Sequence, residues 1–197
     1  MFSDRDNIIG AAFLILMGVL ADEVSTTAPY WAGAIMVAAL SLPVLLLWLP
    51  MLWPDRELPA QGEAELVVID VGQGLSVLVR TRHHSLLYDA GPAVEDGFDA
   101  GERAVVPALY ALGVPRLDRI VISHHDNDHA GGVAAVRRVV SVGQSLAPEG
   151  APVDVDGSCR SGQSWEWDGV RFRFLHPTPH FPYLGNEASC VLRIETA

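Results

Sequence analysis

The sequence predicts an α/β sandwich that follows one or two transmembrane helices, and three observations support this. Residues 24–54 contain no charged side chain, and this stretch is longer than the roughly 20 apolar residues that span a bilayer. Several short apolar runs bounded by turn residues follow, which is typical of β-strands. Between residues 117 and 140 a strand, a polar loop and a helix succeed one another, which adds an α/β unit to these strands.

The N-terminal part indicates membrane segments. The run APYWAGAIMVAALSLPVLLLWLPMLW predicts one transmembrane helix with a kink at Pro43, while the shorter run Ile8–Ala21 is either a second span or a buried or interfacial segment. A cleaved signal peptide is not expected, because acidic residues surround Arg5. We assign residues 1–54 to membrane segments and 55–64 to a linker. Aromatic residues that favour the membrane interface lie near both ends of the longer run: Tyr30, Trp31, Trp48 and Trp53.

Charge argues against nonspecific binding of nucleic acid by the remaining part. From Leu58 onward the chain carries 18 acidic residues, 11 arginines and no lysine. Such a surface does not attract a phosphate backbone unless bound divalent cations offset part of the charge. Cys159 and Cys190 match no zinc-ribbon spacing. They are either two buried thiols or a disulfide, and a disulfide would require an oxidising compartment.

Six strands and two helices are predicted after the linker. The first three strands are separated by short turns and predict an antiparallel meander. The helices are Glu102–Gly113, whose apolar residues recur on one face, and Ala130–Val140, whose arginines lie near its C-terminal end. The strands are Glu65–Val71, Leu75–Arg80, Ser85–Gly91, Leu117–Ser123, Val170–Leu175 and Ser189–Glu195.

The stretch SHHDNDHAGG, Ser123–Gly132, predicts a metal site at the end of a buried strand. Alternate residues of an extended segment point the same way, so His124, Asp126 and Asp128 can converge, and His129 turns inwards where the helix begins. Imidazole and carboxylate donors together suit zinc, manganese or iron. The alternative is a polar loop in which Asp128 caps the helix. The H-x-D-x-D-H pattern favours metal, with His125 and Asn127 pointing away.

At these residues the sequence resembles the metallo-β-lactamase fold, which carries H-x-H-x-D-H, with Asp126 here in place of the second histidine. DNDHAGG, together with DVGQG (Asp70–Gly74) and LLYDAGP (Leu86–Pro92), resembles the C-terminal domain of the ComEC family of DNA-uptake channel proteins. The resemblance implies a partial metallo-β-lactamase αββα sandwich over residues 65–197. This domain is expected to be C-terminally incomplete, because the fold requires a later bridging aspartate.

The resemblance also implies roles for individual residues. His124, Asp126, Asp128 and His129 are expected to hold two divalent metal ions, zinc or manganese. Asp128 and Asp89 are assigned to the catalytic machinery, with Asp89 bracing the ligands; its alternative is a turn aspartate before glycine.

Several further polar residues are weighed beside this set. Gln73 either lines the site or shapes a hairpin. A third ligand histidine is expected near Asn186, where it is absent or altered, and His176 is expected to be a surface or packing residue. The remaining histidines are expected to be solvated: His83, His84 and His180.

The function implied by the resemblance is a metal-dependent hydrolase domain of a membrane DNA-uptake protein that cleaves phosphodiesters of incoming DNA. Its expected partners are DNA, the membrane and the remaining part of the channel. Its expected location is the bacterial inner membrane, with the soluble part in the periplasm. Two alternatives stay open: an inactive truncated remnant, and a membrane-anchored metallo-hydrolase acting on lactones or other esters, because a fold does not determine a substrate.

Overall fold

The computed structural model describes residues 28–52 and 58–196. The chain divides between Asp55 and Arg56 into two units, which are described separately. The first unit contains helix α1 (Ala28–Leu52), which continues through Pro43. Its segment Trp31–Trp48 has a mean hydropathy of 2.0, so α1 is long and apolar enough to cross a membrane by length and composition. The predicted second segment, Ile8–Ala21, lies outside the described residues.

The second unit contains a six-stranded sheet with the order β1-β2-β3-β4-β5-β6. Strands β1, β2 and β3 pair antiparallel, which confirms the predicted meander. Strands β3, β4, β5 and β6 pair in parallel. The strand bounds are β1 Glu65–Val68, β2 Val77–Arg80, β3 Ser85–Tyr88, β4 Arg116–Val121, β5 Ser141–Pro148 and β6 Gly157–Cys159.

A second, three-stranded sheet follows in the sequence. Strands β7 (Ser164–Trp167), β8 (Val170–His176) and β9 (Val191–Glu195) pair antiparallel in that order. A 3₁₀ turn, Gly185–Ala188, precedes β9. In β8 the residues alternate between buried and exposed, so one face of this sheet packs into the core and the other faces solvent.

Helices of the second unit cover one face of the first sheet, and the second sheet covers the other face. A π-helical turn, Gly101–Val105, leads into α2 (Val106–Ala111), and the short α3 (Asn127–Ala130) is followed by α4 (Val133–Val139). These helices share one apolar core with the first sheet, which includes Leu109 and Val136.

The second apolar core lies between the two sheets. It joins Val79, Leu86 and Val121 of the first sheet to Phe172 and Phe174 of the second. The order of layers among the described residues is therefore helices, first sheet, second sheet, which confirms the predicted α/β sandwich.

The structure corrects several predicted elements. Strands β5, β6 and β7 were not predicted, and the predicted helix Ala130–Val140 is instead two helices, α3 and α4, interrupted at Gly131 and Gly132. The backbone is too crowded at Gly132 for a side chain, because a Cβ there would meet the carbonyl oxygen of Ala90 and would lie 2.6 Å from the amide nitrogen of Gly101. This close approach brings α4 against the residues that follow β3.

The two cysteines form a disulfide. Cys159, the last residue of β6, is joined to Cys190, which immediately precedes β9. Both side chains are fully buried in the core between the sheets. The sequence leaves open whether these cysteines are two buried thiols or a disulfide, and the structure contains the disulfide. It links the first sheet covalently to the second.

Candidate metal centre

The candidate site lies at the carboxyl ends of two neighbouring parallel strands. Asp89 follows β3 and Ser123 follows β4. The amide of Asp89 donates a hydrogen bond to the carbonyl of Val121, and the amide of Ser123 donates to Oδ1 of Asp89 at 2.7 Å. Because parallel strands end at the same edge of a sheet, residues 34 positions apart in the chain are brought into direct contact here.

Asp89 is the centre of a buried hydrogen-bond network. Its carboxylate accepts bonds from the amide and the hydroxyl of Ser123, both at 2.7 Å, and from Nδ1 of His129 at 2.8 Å. Its side chain has no solvent exposure. Burial raises the pKa of the Asp89 carboxyl, against the hydrogen bonds from Ser123 and His129, which stabilise the carboxylate. The carboxylate of Asp89 therefore fixes the orientation of the His129 ring and is not itself exposed to solvent.

The two imidazoles of the motif are held by the same network. Nδ1 of His124 lies 2.9 Å from the hydroxyl of Ser123, and the rings of His124 and His129 are 4.1 Å apart between centroids. Burial lowers the pKa of His124, and the neighbouring His129 lowers it further. Both effects favour the neutral imidazole, which is the form that binds a metal ion.

Each imidazole faces one carboxylate through its other nitrogen. Nε2 of His124 lies 3.5 Å from Oδ2 of Asp126, and Nε2 of His129 lies 3.7 Å from Oδ2 of Asp128. The side chains of Asp126 and Asp128 are about two-fifths exposed, so solvent reaches both carboxylates. The buried rings of the stretch thus form two imidazole–carboxylate pairs, and Oδ1 of Asp126 also lies 3.5 Å from Nδ1 of the exposed His125.

The geometry of these pairs fits divalent metal ions. Two ligands of one tetrahedral zinc ion, each about 2.0–2.1 Å from it, lie about 3.3 Å from each other, close to the two distances above. Metal-binding histidines also donate their second ring nitrogen to a carboxylate or similar acceptor, as His129 does to Asp89. Within residues 28–52 and 58–196, no group of three or more His, Cys, Asp or Glu side chains is gathered around one point. An ion at either pair would therefore have two side-chain donors from the described chain.

The neighbours of the four proposed ligands have structural contacts. The backbone amide of His125 donates to the hydroxyl of Tyr183, and its Nδ1 lies 2.5 Å from the same oxygen. The side-chain oxygen of Asn127 accepts a hydrogen bond from the amide of Ala93 at 3.3 Å. The alternative in which Asp128 caps the helix is wrong, because α3 begins at Asn127 and Asp126 occupies the capping position without a side-chain hydrogen bond.

A cavity of about 630 Å³ borders the site. Gln73 lines it, together with Asp128, and also lies in the turn between β1 and β2.

The residues considered for a third ligand lie in the segment before β9. Nε2 of His176 lies 2.9 Å from the carbonyl oxygen of Glu187, and its ring packs edge-on against Phe181. The exposed Asn186 lies in the 3₁₀ turn, where its carbonyl accepts bonds from Ser189. Neither side chain has a hydrogen bond to a residue of the motif within the described part of the chain.

The expectation that His83 is solvated is confirmed, because its side chain is 66% exposed, whereas His84 is only 36% exposed and packs against other side chains. Nδ1 of His83 lies 2.8 Å from one oxygen of Asp168, and Nδ1 of His84 lies 3.3 Å from the other. Thr81 donates to the same carboxylate at 2.6 Å, and the ring of His84 stacks on Trp167. Burial alone would raise the pKa of Asp168, but the hydrogen bonds from Thr81, His83 and His84 hold it well below its usual range.

Sequence reasoning missed Ser123 as a site residue. Its hydroxyl lies 2.7 Å from Asp89, 2.9 Å from His124 and 3.2 Å from His129. The available signal was its position between a buried strand and the first histidine. Serine at a strand end is common, however, and nothing in the local pattern indicates that one hydroxyl connects three residues of the site.

Comparisons with known proteins agree on the fold. The sequence model of the metallo-beta-lactamase superfamily matches residues 69–196. Among solved structures, a metallo-β-lactamase from Cronobacter sakazakii with a HARLDQ motif superposes with a TM-score of 0.51 at 22% identity, over 73% of this chain and 57% of that chain. This structural likeness concerns the fold alone.

Curated relatives include competence and recombination proteins. Competence protein ComA of Neisseria gonorrhoeae is 44% identical over 135 residues, which are 68% of this chain and 18% of that protein. Recombination protein 2 of Haemophilus influenzae is 31% identical over 129 residues, which are 64% of this chain and 16% of that protein. The chain therefore spans less than a fifth of the length of either relative.

Proposed function

The chain belongs to the metallo-β-lactamase superfamily, and we propose that it acts as the metal-dependent hydrolase domain of a membrane DNA-uptake protein. The resemblance to the soluble domain of the ComEC family is confirmed by the similarity to ComA and Recombination protein 2. The observation that carries the proposal is the pair of imidazole–carboxylate contacts, His124 with Asp126 and His129 with Asp128. The proposed substrate is one strand of incoming DNA, cleaved at its phosphodiester bonds.

The proposal assigns two divalent ions to these pairs, one to each. Bound ions of this kind supply an activated water and offset the negative charge of a phosphate. Nε2 of His124 and the Asp126 carboxylate hold one ion, and Asp128 and Nε2 of His129 hold the other. Asp89 holds His129 in the orientation that leaves Nε2 available. With two protein donors for each ion, positions remain for water and for a substrate oxygen.

The acidic composition of the chain makes these ions necessary for the proposed substrate. The formal net charge is −11, which repels a phosphate backbone at long range. The two ions would place positive charge where the scissile phosphate must lie. Binding of DNA is therefore expected to depend on the metal, and DNA is expected to bind weakly to the metal-free chain.

The proposed location is the bacterial inner membrane with the second unit in the periplasm. Two features support it: α1 has the length and composition of a membrane span, and the Cys159–Cys190 disulfide is of the kind that persists in oxidising compartments. The remaining part of an uptake channel and the membrane itself are the proposed partners.

The experiment that tests the proposal measures metal binding and cleavage on the full chain in detergent. Equilibrium dialysis against manganese or zinc should give about two ions per chain, and cleavage of an end-labelled single strand should follow the metal. Asp128→Asn should lose one ion and the cleavage. Asp154→Asn is the matched control, because Asp154 is fully exposed and its contact is with Arg137.

Each failure has a separate meaning. If the wild-type chain binds no metal under these conditions, the hydrolase proposal is wrong and the domain is catalytically inactive. If the chain binds metal and hydrolyses lactones or simple esters but not DNA, the metal assignment stands and the substrate is wrong. The acidic surface is the feature that favours this second candidate.

A further inference from the structure

The cavity beside the proposed metal centre contains an aromatic ring and side-chain amides in its lining, whereas the centre consists of imidazoles and carboxylates. Its volume is about 630 Å³, within the range of small-ligand sites. On one side lies the turn of residues 70–73, on another Pro92 and Phe98, and on the third Asn127 and Asp128. A group bound in this cavity therefore lies next to Asp128, which belongs to one of the two imidazole–carboxylate pairs.

Phe98 is presented to this cavity by a closed loop. Ala93 and Asp99 form an isolated bridge, and the amide of Val94 donates to the carbonyl of Phe98 at 2.7 Å. Phe98 is 43% exposed and belongs to neither apolar core. A large aromatic ring that adds nothing to the core, is held by backbone hydrogen bonds and borders a cavity is suited to contact a flat ligand.

The polar groups of the cavity do not by themselves attract an anion. Among the described residues no arginine or histidine lines it, and its charged residues are Asp70 and Asp128. Gln73 is exposed and makes no side-chain hydrogen bond within the described residues. One oxygen of Asp70 accepts the amide of Gly72 at 3.1 Å, which leaves the other free. The lining thus offers an aromatic face, an amide and carboxylate acceptors.

We propose that this cavity binds a nucleobase of the substrate strand, with Phe98 stacking on the base and Gln73 or Asp70 bonding its edge. The proposal rests on the proposed function, because it assumes that the phosphodiester lies at the metal centre. A base offers a flat π-face and edge donors that amide and carboxylate acceptors recognise. In this arrangement the ions contact the phosphates of the strand, and the residues of the cavity contact the base. The substrate is accordingly single-stranded at this position, since a paired base cannot enter.

The test compares two short single-stranded oligonucleotides of equal length, one with bases and one with a run of abasic sites. Both carry the same phosphates, so a difference in affinity reports the bases. Binding to the full, metal-loaded chain in detergent is followed by fluorescence anisotropy, with a metal that does not support cleavage. Stacking on an aromatic side chain is expected to favour the base-containing strand by roughly 5- to 150-fold.

Phe98→Ala is expected to abolish this preference and to leave metal content and the affinity for the abasic strand unchanged. Val94→Ala is the matched control, because Val94 is an exposed apolar residue of the same loop that does not line the cavity. Equal binding of both strands by the wild type, or an undiminished preference in Phe98→Ala, would overturn the proposal and leave the proposed function standing. Absence of binding to either strand would overturn both.

Discussion

Removal of the disulfide is expected to destabilise the second unit by several kilocalories per mole. Cys159 and Cys190 are separated by 31 residues, and closing a loop of this length removes entropy from the unfolded chain. In the chain-entropy treatment the loss is about 12 cal/mol/K, which at 25 °C corresponds to about 3.7 kcal/mol. For a folded unit of this size the melting temperature should fall by roughly 8–15 °C.

The structure indicates that this change acts mainly through the unfolded state. The amide of Cys190 donates to the carbonyl of Ser123 at 2.9 Å, and the hydroxyl of Tyr88 donates to the carbonyl of Cys190. Burial raises the pKa of the Tyr88 phenol, as does the nearby Asp89, so this donor stays protonated. These bonds do not require the disulfide, and the segment before β9 should keep its place in the reduced protein.

The assay is denaturant unfolding of the full chain in detergent, with and without reductant, followed by the fluorescence of Trp165 and Trp167 in the core between the sheets. The double substitution of Cys159→Ala and Cys190→Ala serves as a control that reductant no longer affects. A difference below about 1 kcal/mol between the oxidised and reduced protein would refute the loop-entropy reasoning. Two free thiols in a nonreducing mass spectrum of exported protein would refute the link itself.

Three further changes have defined outcomes. Asp89→Asn should lower metal affinity about 10- to 100-fold, because His129 loses its carboxylate acceptor; isothermal titration with the fold checked by circular dichroism measures this. Asp168→Asn should make the free energy of unfolding less dependent on pH in the acidic range. The depressed pKa of Asp168 means that its contribution is present above the unfolded pKa and is lost as the pH falls below about 4, and urea midpoints between neutral and acidic pH would show it. Gly132→Ala should cost about 1–3 kcal/mol in urea unfolding, because the added methyl group collides with the carbonyl of Ala90; an unchanged midpoint would show that the loop gives way.

The proposed ligands could be found from the sequence because they are neighbours in the chain. They lie within six consecutive positions, and this spacing alone predicts a metal site: His124, Asp126, Asp128 and His129. The partners that orient them are distant in the chain. Asp89 is 34 residues from Ser123, and their contact depends on the parallel pairing of β3 with β4, which no local pattern expresses.

Long-range pairs account for most of what the sequence could not predict. Asp168 contacts His84 across 84 residues, and a histidine without a partner nearby in the chain is predicted to be solvated when only the sequence is considered. Strand β7 was missed although SWEW alternates polar and aromatic residues, a pattern typical of a half-buried strand. Its four residues are too few to distinguish a strand from a turn without the pairing partner β8.

Counting donors and acceptors assigns the protonated nitrogen of each imidazole. The hydroxyl of Ser123 has one proton, and the carboxylate of Asp89, which can only accept, takes it at 2.7 Å. The hydroxyl must then accept from Nδ1 of His124, so His124 carries its proton there. His129 donates its own Nδ1 proton to Asp89. Both rings in their neutral form are therefore left with a free lone pair on Nε2, directed towards Asp126 and Asp128. The buried carboxylate thus determines which nitrogen of each histidine is available to a metal ion, directly for His129 and through the Ser123 hydroxyl for His124.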